Sequence, residues 1–384
     1  MSDQKGHKIF YLVAEDWYFV SHRLPAARAA RDQGLEVWVA TRVRDHGEVI
    51  TREGFRLAPV EFRRGSLNPF RDFLTFLGIL ALYRRERPDL VHHVGIKPIL
   101  YGMWAARLAR VPRAVNAFAG LGFLFSHALL ARALRPCVVA AMRRLLDREG
   151  AVIVCQNESD MTSLRRLGIA RSGNARLIRG SGVDVDRFRP SAEPAGPTVV
   201  SMVGRMLWSK GVGDLVEAAR ILRDQGGTGI EIWLAGMPDP SNPDSIDKAT
   251  LNGWQEDGLV KWLGHQDDIA GLWRKCHICA LPTFYPEGVP KTLLEAAACG
   301  RPMVATDVPG CREVVRHGET GFLVPERDPN ALAEAISTLA GSRELREGMG
   351  ASARALICEA FSDAVVAREF GDLYRDVLNQ PSRT

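Results

Sequence analysis

The 384-residue chain lacks what several protein classes require. Its seven cysteines are an odd number with no framework spacing, which argues against a disulfide scaffold. Cys137, Cys155, Cys279 and Cys299 lie in apolar runs and read as buried thiols of a reducing compartment. Cys276 and Cys279 have C-x-x-C spacing but no second pair, so a zinc site is not expected. No uninterrupted run reaches about 18 apolar residues, and no spanning helix is expected. The opening M-S-D-Q-K-G-H-K carries no apolar signal core, so the expected location is cytoplasmic. No recognition-helix, RNP or zinc-finger pattern appears, which removes nucleic acid as an expected partner.

What is present is ordinary soluble composition, 46% hydrophobic and 25% charged, at a length that allows two domains. Charge is uneven. Residues 1–195 hold 31 Lys and Arg against 19 Asp and Glu, while the remainder holds 19 against 26. A first half this rich in arginine implies an anionic partner, such as a phosphate-bearing acceptor or anionic lipid. The stretch 123–148 sharpens this. Apolar residues there alternate with Arg132, Arg135, Arg143, Arg144 and Arg148 around Pro136, a pattern that suits an anionic membrane surface or a crossover helix with a solvated face.

Strand and helix patterns alternate through both halves. Strands are expected at 9–14, 37–41, 90–94, 114–118, 152–156 and 175–179, then at 198–203, 230–235, 259–263 and 278–281. Helices are expected between them, with a closing helix over 364–378. This rhythm predicts an α/β architecture of two doubly wound parallel sheets, split near 190/191 by the Pro-rich linker 191–197. Such sheets bind ligands beyond the carboxyl ends of their strands. In the first half those ends place Ser21 as a helix cap before His22 and Arg23, His93 and Lys97 close by the end of the third pattern, and Gly120 in a glycine-containing loop. These are candidates for one binding face. Asp184-Val185-Asp186 spells the D-x-D of metal-using transferases, but it sits in a turn, and no metal role is assigned.

The chain is organised around P-T-F-Y-P-E-G-V-P-K-T-L-L-E, residues 282–295. Its prolines and Gly288 forbid regular structure, and Pro290 suits the first position of a helix that stops at Gly300. The start of that helix offers free N–H groups to an anion, with Glu287 on one side and Glu295 on the other. A carboxylate can accept hydrogen bonds from both hydroxyls of a vicinal diol, so a nucleotide sugar fits. Earlier, Gly204-Arg205…Lys210-Gly211 follows a strand and brings two cations to one loop, at a spacing that is not a P-loop.

Gly-Arg-x4-Lys-Gly at 204–211, Glu-x7-Glu at 287–295 and G-V-D-x-x-x-F at 182–188 together resemble the family 4 glycosyltransferases over nearly the whole chain. S-H-R-L-P at 21–25, I-K-P at 96–98 and G-L-G at 120–122 are similar to bacterial capsule, O-antigen and lipid-linked oligosaccharide enzymes, including the bacillosaminyl-diphospho-undecaprenol N-acetylgalactosaminyltransferases. The resemblance implies a GT-B fold, two Rossmann-like domains facing across a cleft. The acceptor-binding domain would be 1–190, completed by 364–384, and the nucleotide-sugar domain 191–363. It also implies retaining transfer of a hexose or N-acetylhexosamine from a UDP-sugar without an obligatory metal or cofactor. The acceptor would be a polyprenyl-diphosphate-linked saccharide at the inner membrane face. Arg205, Lys210 and Glu287 would act in catalysis. Gly204, Gly264, His265, Gln266, Gly288, Val289, Pro290 and Glu295 would hold the donor. His22, Arg23, His93, Lys97 and Gly120 would lie on the acceptor side. Two departures stand out: E-D-W-Y-F replaces a Gly-Gly loop after the first strand, and Ala119-Gly120 replaces a histidine after Phe118. The alternatives are a soluble transferase, a nucleotide-sugar 2-epimerase and an inactive scaffold subunit.

Overall fold

The computed structural model describes residues 6–62, 68–121, 129–171, 173–226, 229–240, 242–285 and 287–380. The chain divides into two compact units, Met1–Gly182 with Asp363–Thr384, and Val183–Ser362.

The first unit contains strands β1 (Lys8–Glu15), β2 (Glu36–Arg42), β3 (Arg56–Pro59), β4 (Leu90–Val94), β5 (Arg113–Ala117), β6 (Ala151–Cys155) and β7 (Ala175–Leu177). They form one parallel sheet in the order β3-β2-β1-β4-β5-β6-β7. Its helices are α1 (Asp16–His22), α2 (Leu24–Asp32), α3 (Gly47–Arg52), α4 (Pro69–Glu86), α5 (Ile96–Leu108), α6 (Leu129–Leu146) and α7 (Glu158–Arg166). Alternate side chains of a strand point to opposite faces. Phe10 and Leu12 of β1 therefore enter a core with α4, α5 and α6, while Ile9, Tyr11 and Val13 enter another with α2 and the closing helix. Burial on both faces explains why the central strands read as unbroken apolar runs.

The second unit contains β8 (Thr198–Val203), β9 (Ile230–Ala235), β10 (Lys261–Gly264), β11 (Ile278–Leu281), β12 (Met303–Thr306) and β13 (Gly321–Val324). The sheet is parallel, ordered β10-β9-β8-β11-β12-β13. Its helices are α8 (Val212–Asp224), α9 (Lys248–Glu256), α10 (Ile269–Arg274), α11 (Lys291–Ala298), α12 (Pro309–Arg312), α13 (Pro329–Gly341) and α14 (Arg343–Ala360). The closing helix α15 (Asp363–Asn379) returns to the first unit, where the Tyr374 hydroxyl lies 2.7 Å from the Tyr11 hydroxyl and 2.8 Å from His92 Nδ1.

Several expectations change. Residues 191–197 are not a free linker. The chain divides at Gly182 and Val183, and Glu193 makes a two-pronged ion pair with Arg346 at 2.7 Å inside the second unit. Ser21 does not cap α2. It lies within α1 and its hydroxyl donates to the Trp17 carbonyl at 2.7 Å. Pro290 precedes α11 as its N-cap residue and is not its first helical residue. Cys137 is exposed, not buried. Of the stretch 123–148, residues 123–128 lie outside the described residues, and Leu129–Leu146 is α6, whose Val139, Met142, Leu145 and Leu146 are spent on the core.

Arg346 and Glu193 are both only 8% exposed at the side chain. Removing one partner leaves a desolvated charge, so Glu193→Gln is expected to destabilise the protein by about 3–5 kcal/mol. Urea unfolding followed by circular dichroism checks this.

Candidate functional site

In the second sheet, β8 leads to β9 on one side while β11 sits on the other, so connections depart in opposite directions between β8 and β11. A crevice opens at the carboxyl ends of strands at such a switch point. Both motifs arrive there. The loop after β8 carries Arg205 and Lys210, and the loop after β11 carries Glu287 and leads into α11.

The two loops are tied together through their backbones. Phe284 N donates to the Ser209 carbonyl at 3.0 Å, and Thr283 Oγ1 donates to the same oxygen at 3.2 Å. Gly211 has φ +76°, and a Cβ there would meet the Pro282 carbonyl oxygen at 2.0 Å. Only glycine permits that approach. As a result Lys210 Nζ reaches Glu287 Oε1 at 2.7 Å, with side chains 17% and 15% exposed. The backbone carbonyl of buried Gly288 faces Gly310 of α12, where an added Cβ would lie 2.0 Å from it.

Arg205 has a partner that the sequence reading missed. Its Nη1 donates to Asp239 Oδ2 at 2.7 Å, from the loop after β9. Asp244 in that loop accepts the Ser209 N–H at 2.9 Å and so pins the Lys210 turn. The signal was available as the M-P-D-P-S-N-P-D run directly after the β9 pattern, a polar strand end beside the switch point. Gly264, with φ +64°, ends β10 and accepts from Gly236 N at 2.7 Å. His265 is exposed and lies 3.1 Å from Asp267 Oδ1, while the Gln266 amide donates to the Leu263 carbonyl at 2.8 Å.

Glu295 sits in the second turn of α11. Desolvation by burial raises its pKa to about 7, against the opposing pull of Lys291 and Arg187. Arg187 belongs to the 182–188 turn, which Arg354 clamps to α11 by donating to the carbonyls of Phe188 at 2.7 Å, Val185 at 3.0 Å and Ala298 at 2.8 Å. The D-x-D in this turn has a structural task, with Asp184 Oδ1 accepting the N–H groups of Asp186 and Arg187 at 2.9 Å.

The first-unit candidates do not share one open face. His93 is fully buried and hydrogen-bonds to Asn116 at 2.9 Å, and burial lowers its pKa to about 4. Arg23 is 1% exposed. Their places in strand β4 and between α1 and α2 put them under the helices, which single-residue spacing does not reveal. His22 is half-buried, with its ring stacked on Tyr18 and Nδ1 2.6 Å from Ser21 Oγ. Lys97 is paired with Asp72 at 2.6 Å, and Gly120 has φ +99°. Where a Gly-Gly loop was expected to be replaced, α1 begins at once. Asp16 is held there: burial pushes its pKa up, but the N–H groups of Arg44, His46 and Trp17 outweigh this and leave it below the usual range.

Two pH effects follow from Glu295. Its folded pKa of about 7 lies above the unfolded value, so the folded state binds more protons between roughly pH 4.5 and 7 and stability falls as pH rises through that window. Glu295→Gln should raise the melting temperature at pH 8, with the gain shrinking toward pH 5. If the ionised carboxylate accepts ligand hydroxyls, the ratio of wild-type to Glu295→Gln affinity for UDP, from which the ligand's own phosphate titration cancels, should rise from pH 6 to pH 8. Calorimetry on both proteins measures each effect.

Residues 8–157 match the family described as "Glycosyl transferase 4-like", and residues 197–342 match "Glycosyl transferases group 1". The chain is 27% identical to N,N'-diacetylbacillosaminyl-diphospho-undecaprenol alpha-1,3-N-acetylgalactosaminyltransferase of Campylobacter jejuni, covering 93% of this chain and 95% of the relative. It is 23% identical to the capsular polysaccharide biosynthesis glycosyltransferase CapM of Staphylococcus aureus, covering 98% and 99%. Sucrose-phosphate synthase from Thermosynechococcus elongatus superposes with a TM-score of 0.81 at 22% identity, covering 98% of this chain and 100% of that one. HepE from Anabaena in complex with UDP superposes at 0.77 and 19% identity, covering 96% and 100%. The two family matches lie one in each unit, both sheets are parallel and Rossmann-like, and the chain belongs to the family 4-like, group 1 glycosyltransferases of GT-B fold.

Proposed function

We propose that the protein transfers a hexose or N-acetylhexosamine from a UDP-sugar, with retention of configuration, to a polyprenyl-diphosphate-linked saccharide during surface polysaccharide or glycan assembly. The observation that carries this reading is the convergence of Arg205, Lys210, Glu287 and the start of α11 at one switch point. In this reading the donor diphosphate lies between the two cations and the N-terminal end of α11, whose partial positive charge favours an anion. Charge grows on the leaving diphosphate as the bond to the anomeric carbon breaks, and fixed cations stabilise that charge most in the transition state. Arg205 and Lys210 then supply the positive charge that a metal ion supplies elsewhere, so we propose that no metal is obligatory.

Glu287, held by Lys210, faces the donor sugar together with the backbone of Gly288, Val289 and Pro290. Glu295 accepts the ribose hydroxyls. The residues at the end of β10, Gly264, His265 and Gln266, lie toward the base, where backbone groups do the recognition because the Gln266 amide is already engaged. The first unit takes the acceptor, with His22, Lys97 and Gly120 following β1, β4 and β5, three adjacent strands of its sheet. His93 and Arg23 play no direct part, being buried. The lipid-linked acceptor and a peripheral position at the inner membrane face are supported by the basic first half of the chain and by the diphospho-undecaprenol substrate in the name of the Campylobacter jejuni relative.

Lys210→Ala and Arg205→Ala are each expected to lower kcat by about 10²–10³-fold, the scale of a lost transition-state charge contact. UDP, and not GDP, should raise the melting temperature. A β-linked product from an α-linked donor, read from the anomeric coupling by NMR, would overturn retention. Epimerised UDP-sugar formed without acceptor would favour the epimerase, and equal turnover of soluble and lipid-linked acceptors would remove the lipid requirement.

A further inference from the structure

One outer layer of the first unit carries an apolar surface with no core to fill. Helix α4 buries Ile79, Leu80, Leu82 and Tyr83, yet its opposite side exposes Phe70 at 69%, Phe73 at 55%, Leu74 at 51% and Leu77 at 40%. These lie at i, i+3, i+4 and i+7, one continuous stripe of a helix. Helix α5, packed on the same core, exposes Trp104 and Leu108, again four apart, and α6 exposes Leu134. Among the described residues, seven of the eleven exposed large apolar side chains thus fall on this one layer, whereas those of the second unit are Trp208, Met237 and Tyr285. A groove of about 840 Å³ continues the surface from Leu74 and Gly78 across to Leu57 and Val60 at the edge strand β3.

The charge beside this surface is predominantly positive, although Glu61 lines the groove and Asp89 lies beside Arg84 and Arg87. Arg71, Arg84 and Arg87 are exposed and, among the described residues, make no ion pair, and Arg107 lies exposed beside Leu108. The acidic side chains of α4 are already neutralised, Asp72 by Lys97 and Glu86 by Arg85, each at 2.6 Å. No described helix is long and apolar enough to cross a membrane.

We infer that the outer layer of α4, α5 and α6 is a docking face for an anionic lipid bilayer, with α4 lying in the plane of the interface and inserting Phe70, Phe73, Leu74 and Leu77. Aromatic and aliphatic side chains on one side, with unpaired arginines around them, match the acyl boundary and the anionic headgroups respectively. A second copy of the chain fits less well, since pairing two such faces would bring Arg71, Arg84 and Arg87 against their own kind. The inference deepens the lipid-linked acceptor reading, on which it rests, by naming the surface that brings the protein to its substrate. It also places most of the task on α4, because the apolar side of the described part of α6 is mostly in the core.

The test is sedimentation of the full-length protein with vesicles of phosphatidylcholine, with and without phosphatidylglycerol. Wild type should bind the anionic vesicles. Phe70→Ser/Phe73→Ser/Leu77→Ser should bind them at least about tenfold more weakly, and Arg71→Glu/Arg84→Glu should lose the preference for phosphatidylglycerol. All these residues are exposed, so circular dichroism and the UDP-induced melting shift should be unchanged in both variants. Equal binding by wild type and the triple variant overturns the inference, as does absence of binding by the wild type. A wild-type dimer that the triple variant dissolves, without vesicle binding, would make the face an interface between copies and overturn it too. Loss of the UDP shift with vesicle binding intact would count against the donor reading alone.

Discussion

Everything at the candidate site depends on how closely two backbones can approach at the switch point of the second sheet. The loops after β8 and β11 belong to neighbouring strands, and the Pro282 carbonyl sits where any side chain at residue 211 would be. With glycine there, the Ser209 carbonyl can receive two donors from the other loop, and Lys210 is brought to Glu287 without a long, floppy reach. The ion pair is therefore a consequence of backbone packing. It holds two opposite charges in a partly desolvated place.

A second tier of contacts sets the orientation of that pair. Asp239 aims Arg205, Asp244 fixes the turn bearing Lys210, and Gly310 admits the carbonyl of Gly288. On the far side of α11, Arg354 fastens the 182–188 turn, which brings Arg187 within electrostatic range of Glu295. Four separate loops thus converge on one short helix. A rigid scaffold with its polar groups on loops is the usual way that folds of this kind support different chemistries.

The first unit repeats the architecture but divides its surface differently. The sheet face toward α2 and α15 encloses aromatic and polar groups, among them Tyr11, Tyr374 and His92. The other face builds a conventional apolar core whose covering helices remain apolar on the outside as well. A helix that is apolar on both sides is costly to leave in water. The surplus lies where the arginines are, which is the physical basis for assigning it to a charged, partly apolar environment.

Strand positions were legible because a parallel strand buried on both faces is a short unbroken apolar run: Leu90–Val94, Thr198–Val203, Ile230–Ala235 and Ile278–Leu281 have the same bounds in sequence pattern and in structure. That the loop bearing Arg205 and Lys210 meets the loop bearing Glu287 was legible too, since strand ends of a doubly wound sheet meet in space whatever their separation in the chain. Short helices such as α1 and α3 were missed because they carry little periodic signal, and the linker was misplaced because proline marks an irregular segment without saying what it packs against. The sequence by itself determined the parallel α/β architecture and the chemical groups of the loops after β8 and β11, because both follow from local pattern. Only the tertiary structure decided that His93 and Arg23 are buried, that Asp239 partners Arg205, that Glu295 is desolvated and that the outer face of α4 is left without a cover, because each depends on neighbours brought in from distant parts of the chain.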